Sequence, residues 1–128
     1  MQLNHMHLSV TDVAAAAAFF VKHCDFALLE TRGNHGLAVL EGKNNVVLVL
    51  MRLANSIDPD KAYPPLFHIG FLTPDEAQVD ISHASMKADA LDISDIELTR
   101  GARRFYCKAP GGILVEIGHE PADSPTDR

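Results

Sequence analysis

The chain has 128 residues, a length typical of one domain or of two small halves that share a core, which excludes a large multidomain enzyme. Acidic residues outnumber basic ones by 17 to 11, and the formal net charge of −6 argues against nucleic acid and anionic membranes as partners. Hydrophobic residues make up 47% and charged residues 22%, so the chain can bury a core. No apolar run approaches the ~18–20 residues of a membrane span, and the first residues lack a basic and apolar leader. A cytoplasmic protein is therefore expected.

The first half of the chain predicts the order βαβββ. Residues Leu3–Val10 alternate between apolar and polar side chains, as in a half-buried strand. Thr11 and Asp12 offer N-cap side chains before a dozen residues with apolar positions at helical spacing. Strand-like runs then follow, separated by turn-forming sequences, over residues 26–30, 36–40 and 45–51.

The second half repeats this pattern after a proline-containing linker. A strand over residues 66–72 precedes Thr73-Pro74-Asp75-Glu76, which predicts a helix start with proline in the first turn. Three further strands are predicted over residues 95–99, 103–108 and 113–117. The whole chain, 1–128, is expected to be a single domain with four parts: a first module over about 1–52, a linker over about 53–65, a second module over about 66–119 and a polar tail over 120–128.

An internal repeat connects the two halves at the level of single residues. The segment beginning Leu3-Asn4-His5 aligns with the segment beginning Leu66-Phe67-His68. At the other end of each half, residues 45–50 align with residues 112–117. The repeat therefore pairs His5 with His68 and Val49 with Glu116.

Two such modules predict an α+β fold in which paired βαβββ units form one curved mixed sheet around a cup, with the helices outside. The strand positions that face the helices should be the apolar ones: Met6, Leu8, Val10, Phe67, Ile69, Phe71, Phe105, Cys107, Ile113, Val115 and Ile117. The alternate positions should line the cup: His5, His7, Val47, Val49, His68, Gly70, Arg104, Tyr106, Lys108, Leu114 and Glu116.

His5, His68 and Glu116 project from three strands onto this concave surface. Two histidines and one carboxylate form the ligand set of an open metal site that leaves positions for substrate or oxygen. Such ligands suit one divalent ion, Fe(II), Mn(II), Ni(II), Co(II) or Zn(II), and their number argues against a closed structural zinc site. The alternative is a cup that has kept these residues without binding metal.

The remaining polar residues of the cup suggest substrate contacts. His7 can be an acid or base, a partner of a metal ligand or a polar lining residue, and a substrate contact is slightly favoured. Tyr106, Arg104 and Lys108 share one face and can bind an anionic oxygen. It is equally consistent with the sequence that Arg104 and Lys108 only extend along the rim.

The chain resembles the vicinal oxygen chelate superfamily from residue 2 to about residue 119. The resemblance is carried by Leu3-Asn4-His5, by residues 19–26, by Phe67-His68-Ile69-Gly70-Phe71 and by residues 104–116. The superfamily includes glyoxalase I, fosfomycin-resistance thiol transferases, extradiol dioxygenases, methylmalonyl-CoA epimerase and metal-free bleomycin-resistance proteins. This resemblance implies metal ligands at His5, His68 and Glu116.

The same resemblance bears on the reaction. Val49 stands where glyoxalase I carries an additional acidic ligand, which counts against glyoxalase I and leaves Val49 as a substrate-facing residue. Tyr106 matches a position that contacts substrate in the thiol transferases, and it joins His7 as a candidate catalytic residue. The turn at Ala109 and Gly111 departs from the common Asp-Pro-Asp-Gly sequence, and no counterpart of the phosphonate-binding residues of the fosfomycin enzymes is found.

The resemblance implies a metal-dependent enzyme acting on a small oxygen-chelating substrate, with an anionic substrate as an open alternative. Lyase, isomerase, thiol transferase and dioxygenase chemistry all stay open. The rival function is a metal-free small-molecule binding protein of the bleomycin-resistance kind. Relatives of this length imply a homodimer in which His5 comes from one chain and His68 and Glu116 come from the other.

Overall fold

The computed structural model describes residues 1–121, so most of the predicted tail lies outside the described residues. The first half contains β1 (His5–Val10), α1 (Val13–His23), β2 (Ala27–Arg32), β3 (Leu37–Glu41) and β4 (Val47–Arg52). The second half contains β5 (His68–Leu72), α2 (Glu76–Ala88), β6 (Asp92–Ile93), β7 (Glu97–Thr99), β8 (Ala102–Lys108) and β9 (Leu114–His119). Short 3-10 turns cover Lys43–Asn45 and Pro59–Lys61.

Each half forms its own mixed sheet, and the predicted α+β class is confirmed. The first sheet has the order β1-β4-β3-β2, with β1 and β4 parallel and the other pairs antiparallel. The second has the order β5-β9-β8-β6, with β7 also paired to β8, and its parallel pair is β5 and β9. In both sheets the last strand of the module lies in the interior: β4 lies between β1 and β3, and β9 lies between β5 and β8.

The chain divides into two compact units that follow the repeat. Of the described residues, one unit comprises 1–65 with 110–112, and the other comprises 66–109 with those that follow 112. The segment between the modules is tied to β1, because the Tyr63 hydroxyl accepts a hydrogen bond from the Ser9 amide at 2.8 Å and donates one to the Ser9 carbonyl at 3.0 Å. Tyr63 thereby satisfies two backbone groups at the edge of the first sheet.

Aspartate side chains set the start of both helices. Asp12 Oδ1 accepts a hydrogen bond from the Ala15 amide at 3.0 Å, and Asp75 Oδ1 accepts one from the Gln78 amide at 2.9 Å. The predicted cap of the first helix is confirmed. The predicted position of Pro74 in the first turn of α2 is wrong, because Pro74 precedes the capping residue Asp75.

The second module differs from the predicted βαβββ order in one detail. The strand expected over residues 95–99 is shortened to β7, and a further short strand, β6, precedes it, with residues 94–96 between the two. The Ser94 amide donates to the Tyr106 carbonyl at 2.8 Å, and the Ser94 hydroxyl accepts from the Tyr106 amide at 2.9 Å. The Ser94 hydroxyl thus takes the place of a backbone acceptor. This interrupts the backbone hydrogen bonding between the strands, while the Tyr106 amide of β8 still has a partner.

The apolar strand positions build the core as predicted, with one exception. The buried members of the predicted set are Leu8, Val10, Phe105, Cys107, Ile113, Val115 and Ile117, while Met6, Ile69 and Phe71 are half-buried. Phe67, which precedes β5, is 38% exposed. Within the described residues no helix is long and apolar enough to span a membrane.

The buried thiol of Cys107 makes stability depend on alkaline pH. Burial, with a smaller contribution from the Asp92 carboxylate, raises the pKa of Cys107 to about 11. The unfolded chain loses this proton near pH ~8.5, so the free energy of unfolding should fall between that pH and about 11, by on the order of 3 kcal/mol. Below this window both states hold the proton, and the thiol adds no pH dependence.

Urea unfolding of the parent protein and of Cys107→Ala between pH 7 and 11 measures this contribution. Because the variant lacks the thiol, the difference in unfolding free energy between the two proteins should change with pH only in the alkaline window. If the unfolding free energies of the two proteins changed with pH in the same way, the raised pKa of Cys107 would be contradicted.

Candidate metal centre

Glu116 occupies the middle of the second sheet. It lies on β9, paired with Gly70 of the parallel strand β5 on one side and with Tyr106 of the antiparallel strand β8 on the other. Side chains at paired positions point to the same face of a sheet. Glu116 is therefore flanked by one residue without a side chain and by one aromatic ring.

His68 reaches the Glu116 carboxylate across the position of Gly70. The distance from His68 Nε2 to Glu116 Oε2 is 3.2 Å, and the two side chains are 37% and 18% exposed. A Cβ atom built on Gly70 would lie 3.7 Å from Glu116 Oε2, so any longer side chain there would enter the space that the carboxylate uses. The glycine leaves the histidine and the carboxylate in direct contact.

A backbone carbonyl fixes the tautomer of His68. His68 Nδ1 lies 2.9 Å from the Leu66 carbonyl oxygen, which can only accept, so Nδ1 carries a hydrogen and donates it. In the neutral ring the lone pair is then on Nε2, the atom that faces Glu116. Hydrogen bonding of the other ring nitrogen to a carbonyl is the usual support of a histidine that binds metal.

The contact between His68 Nε2 and Glu116 Oε2 has the geometry of a site for a proton or a metal ion. A lone pair and an anionic oxygen repel each other unless a proton on Nε2 or a metal ion lies between them. Two donors that bind one ion at ~2.0–2.1 Å are about 2.9–3.4 Å apart, and the observed 3.2 Å lies in this range. The donor types and their spacing therefore fit a divalent metal ion.

The second oxygen of Glu116 has a different partner. Arg104 Nη1 donates to Glu116 Oε1 at 3.1 Å, and Arg104 Nη2 lies 3.9 Å from Glu120 Oε1. The Arg104 side chain is 28% exposed, and its Nε is buried with no hydrogen-bond partner among the described residues. The guanidinium is thus placed between two carboxylates.

A cavity of about 200 Å³ lies beside this group within the second unit. Its lining includes Gly70, Leu72, Arg104, Glu116, Gly118 and Glu120. Gly118 is paired with Leu72 on one side and with Arg104 on the other, so glycines occupy two neighbouring positions of one face. The missing side chains leave space next to the carboxylate of Glu116.

Two other predicted residues of the second module, Tyr106 and Lys108, make no hydrogen bond to Glu116 among the described contacts. The Tyr106 ring lies edge-on to His68, with ring centroids 5.6 Å apart and an interplanar angle of 83°. Lys108 is exposed at the end of β8 and is paired with Leu114. Tyr106 therefore belongs to the same group as His68 and Glu116. Lys108 shares with His68 the pairing to Leu114, but no contact connects it to the group among the described residues.

The first module holds His5, His7 and Val49. His5 pairs with Val47 and His7 with Val49, in the same register that pairs His68 with Leu114 and Gly70 with Glu116 in the second module. The Nδ1 of His5 lies 2.9 Å from Asn4 Oδ1. In both histidines Nδ1 is therefore within hydrogen-bonding distance of an oxygen atom. The predicted equivalence of the two histidines is visible in both strand register and hydrogen bonding.

Over residues 1–121 no cluster of three or more His, Cys, Asp or Glu side chains is close enough together to hold a metal ion. The structure brings together His68, Glu116, Tyr106 and Arg104, and the assignment of His5 as a third ligand stays a prediction. Sequence reasoning missed the Leu66 carbonyl and Glu120. Neither carries a signal in the sequence, because one is a backbone group and the other lies beyond the alternating strand pattern.

Comparisons with known proteins identify the family. Residues 2–117 match the Glyoxalase/Bleomycin resistance protein/Dioxygenase superfamily, and the chain belongs to it. No curated protein matches the chain.

Solved structures show the same fold. A possible glyoxalase from Bacillus cereus is 32% identical, with 91% of this chain and 97% of that chain covered and a TM-score of 0.79. A lactoylglutathione lyase from Agrobacterium tumefaciens is 19% identical, with 92% of each chain covered and a TM-score of 0.68. A glyoxalase/dioxygenase from Nostoc punctiforme is 21% identical, with 94% of this chain and 91% of that chain covered and a TM-score of 0.73.

Proposed function

We propose that the protein is a metal-dependent enzyme that acts on a small oxygen-chelating substrate. The observation that carries this proposal is the His68–Glu116 pair, in which Nε2 and Oε2 face each other at 3.2 Å while the Leu66 carbonyl holds Nδ1. This arrangement supports a bound cation, and the superfamily contains both lyases and oxygenases. Membership supports enzyme activity of this broad kind, and the reaction type stays open.

His68 and Glu116 would hold the ion together with His5. Such an ion supplies Lewis acidity that stabilises an enolate, an alkoxide or a similar oxyanion formed from the substrate. The open ligand set allows two neighbouring oxygens of the substrate to bind. A redox metal, Fe(II) or Mn(II), would favour oxygen chemistry, whereas Zn(II), Ni(II) or Co(II) would favour lyase, isomerase or thiol transfer chemistry.

The substrate would occupy the space left by the glycines beside Glu116. The cavity of about 200 Å³ is smaller than the ~300–1,000 Å³ typical of drug-sized ligands, which favours a small substrate or a small part of a larger one. Tyr106 is proposed as the catalytic residue nearest to His68, since its ring contacts that histidine. His7, Val49 and Lys108 are proposed to contact the substrate from its other sides.

We further infer a cytoplasmic homodimer with shared sites, in which His5 of one copy joins His68 and Glu116 of the other. This proposal rests on the resemblance of the chain to dimeric members of its superfamily. His5 and His68 each have an oxygen 2.9 Å from Nδ1, and this shared hydrogen bonding supports His5 as a ligand in such a site.

The parent protein is expected to bind one divalent ion per chain. Metal content of tag-free protein purified without oxygen, measured by mass spectrometry, should approach one equivalent, and a chelated sample should regain it from Fe(II), Mn(II), Ni(II), Co(II) or Zn(II). Replacement of the exposed turn residue His35 by alanine should leave the content unchanged. Failure of every metal to bind would contradict the enzyme proposal and leave a metal-free small-molecule binding protein.

A further inference from the structure

The two oxygens of the Glu116 carboxylate have separate partners. Oε2 faces His68 Nε2 at 3.2 Å, and Oε1 accepts a hydrogen bond from Arg104 Nη1 at 3.1 Å. A carboxylate held at both oxygens has lost the rotation about its last bond. The oxygen that faces His68 therefore keeps its position.

We propose that Arg104 is a positioning residue for the metal site, acting through Glu116. This inference rests on the proposed function, since it requires a metal ion at His68 and Glu116. By holding Oε1, the guanidinium would leave Oε2, the oxygen that faces His68, to hold the ion. Hydrogen-bonded partners of metal-binding carboxylates commonly have this role.

The surroundings of Arg104 favour this role over direct binding of an anionic substrate. Its charge already faces Glu116 at 3.1 Å and Glu120 at 3.9 Å, and these carboxylates are 18% and 19% exposed. A guanidinium between two largely buried carboxylates is neutralised locally and attracts a third anion weakly. Arg104 thus serves the carboxylates of its own chain.

The backbone next to Arg104 is built for this close approach. Gly118 of β9 pairs directly with Arg104, and a Cβ atom on Gly118 would lie 3.3 Å from the Arg104 Cβ. A side chain at position 118 would push against the base of the arginine. The glycine therefore lets the arginine lie across β9 towards Glu116.

A competing role predicts the opposite result. If Arg104 acted as a counter-ion that the metal must displace, its removal would strengthen metal binding. If Arg104 positions Glu116, its removal weakens binding, and loss of such a partner typically costs ~10–100-fold in metal affinity. The sign of the change therefore separates the two roles.

The test compares the parent with Arg104→Gln, Arg104→Lys and the control Arg103→Gln. Arg103 is adjacent on β8, but its guanidinium donates to Asp80 of α2 at 2.6 Å and does not contact Glu116. Co(II) and Zn(II) dissociation constants are measured by competition with a chelating indicator. The Co(II) absorption spectrum reports the ligand geometry, and thermal unfolding of the metal-free proteins reports folding.

Arg104→Gln is expected to weaken binding by ~10–100-fold and to alter the Co(II) spectrum. Arg104→Lys keeps the charge and should recover part of the affinity. The recovery is incomplete because an ammonium lacks the planar fork of the guanidinium. Arg103→Gln should keep the parent affinity.

Unchanged or stronger binding by Arg104→Gln, with metal still bound by the parent, would overturn the positioning role alone. A parent protein that binds no metal would overturn the proposed function and this inference together.

Discussion

Glu116→Gln is expected to weaken divalent metal binding by more than ~100-fold, beyond the loss caused by removing a partner of a ligand. The amide has nearly the same shape as the carboxylate but no charge. It therefore removes the anionic oxygen that lies 3.2 Å from His68 Nε2, as well as the anionic partner of Arg104. Calorimetric or indicator titration with Zn(II) and Co(II) measures the loss.

Glu76→Gln is the matched control for this substitution. Glu76 is exposed in the first turn of α2, so its loss changes the net charge equally without touching the site. Thermal unfolding of both variants separates loss of metal from loss of fold. Metal affinity in Glu116→Gln equal to that of the control would exclude Glu116 as a ligand.

If the dimer shares its sites, a heterodimer formed from two variants that cannot bind metal as homodimers is expected to bind metal. His5→Ala and His68→Ala homodimers should each bind no metal, since each lacks a histidine ligand in every site. In a heterodimer of the two, one site would carry both defects and the other none, so about half of the sites should bind metal. Co-expression with two different affinity tags yields the heterodimer, and mass spectrometry counts its metal.

The same experiment has a clear negative outcome. If the three ligands come from one chain, every site in the heterodimer lacks a histidine, and metal stays absent. A monomer in light scattering would likewise contradict the shared site while leaving the metal proposal in place.

Much of the fold could be predicted because both halves of the sequence carry the same pattern of strands and one helix. The alternation in β1 and β5 fixes which side chains are buried, and the aspartate caps mark both helix starts. The alignment of the two halves is enough to relate His5 to His68 and Val49 to Glu116. Strand register agrees with both relations.

The finer parts of the site depend on contacts that a residue pattern does not encode. The tautomer of His68 depends on the direction of the Leu66 carbonyl, which is a backbone group. Arg104 lies on the predicted face of the sheet. Which groups it contacts depends on how far its side chain extends over Gly118 towards Glu116. The short strand β6 and the Ser94 contact with β8 were missed for the same reason, because a hydroxyl that replaces a backbone acceptor leaves no pattern in the residues.

The position of β4 and β9 has a consequence for biosynthesis. Each is the last strand of its module to leave the ribosome, and each lies between two strands made earlier. The parallel partners His5 and Val47, like His68 and Leu114, are separated by long stretches of chain. Contacts of such long range form slowly, and the earlier strands have no central partner until the last one emerges. Each module is therefore expected to stay largely unfolded until its own last strand emerges and to fold in one step after that.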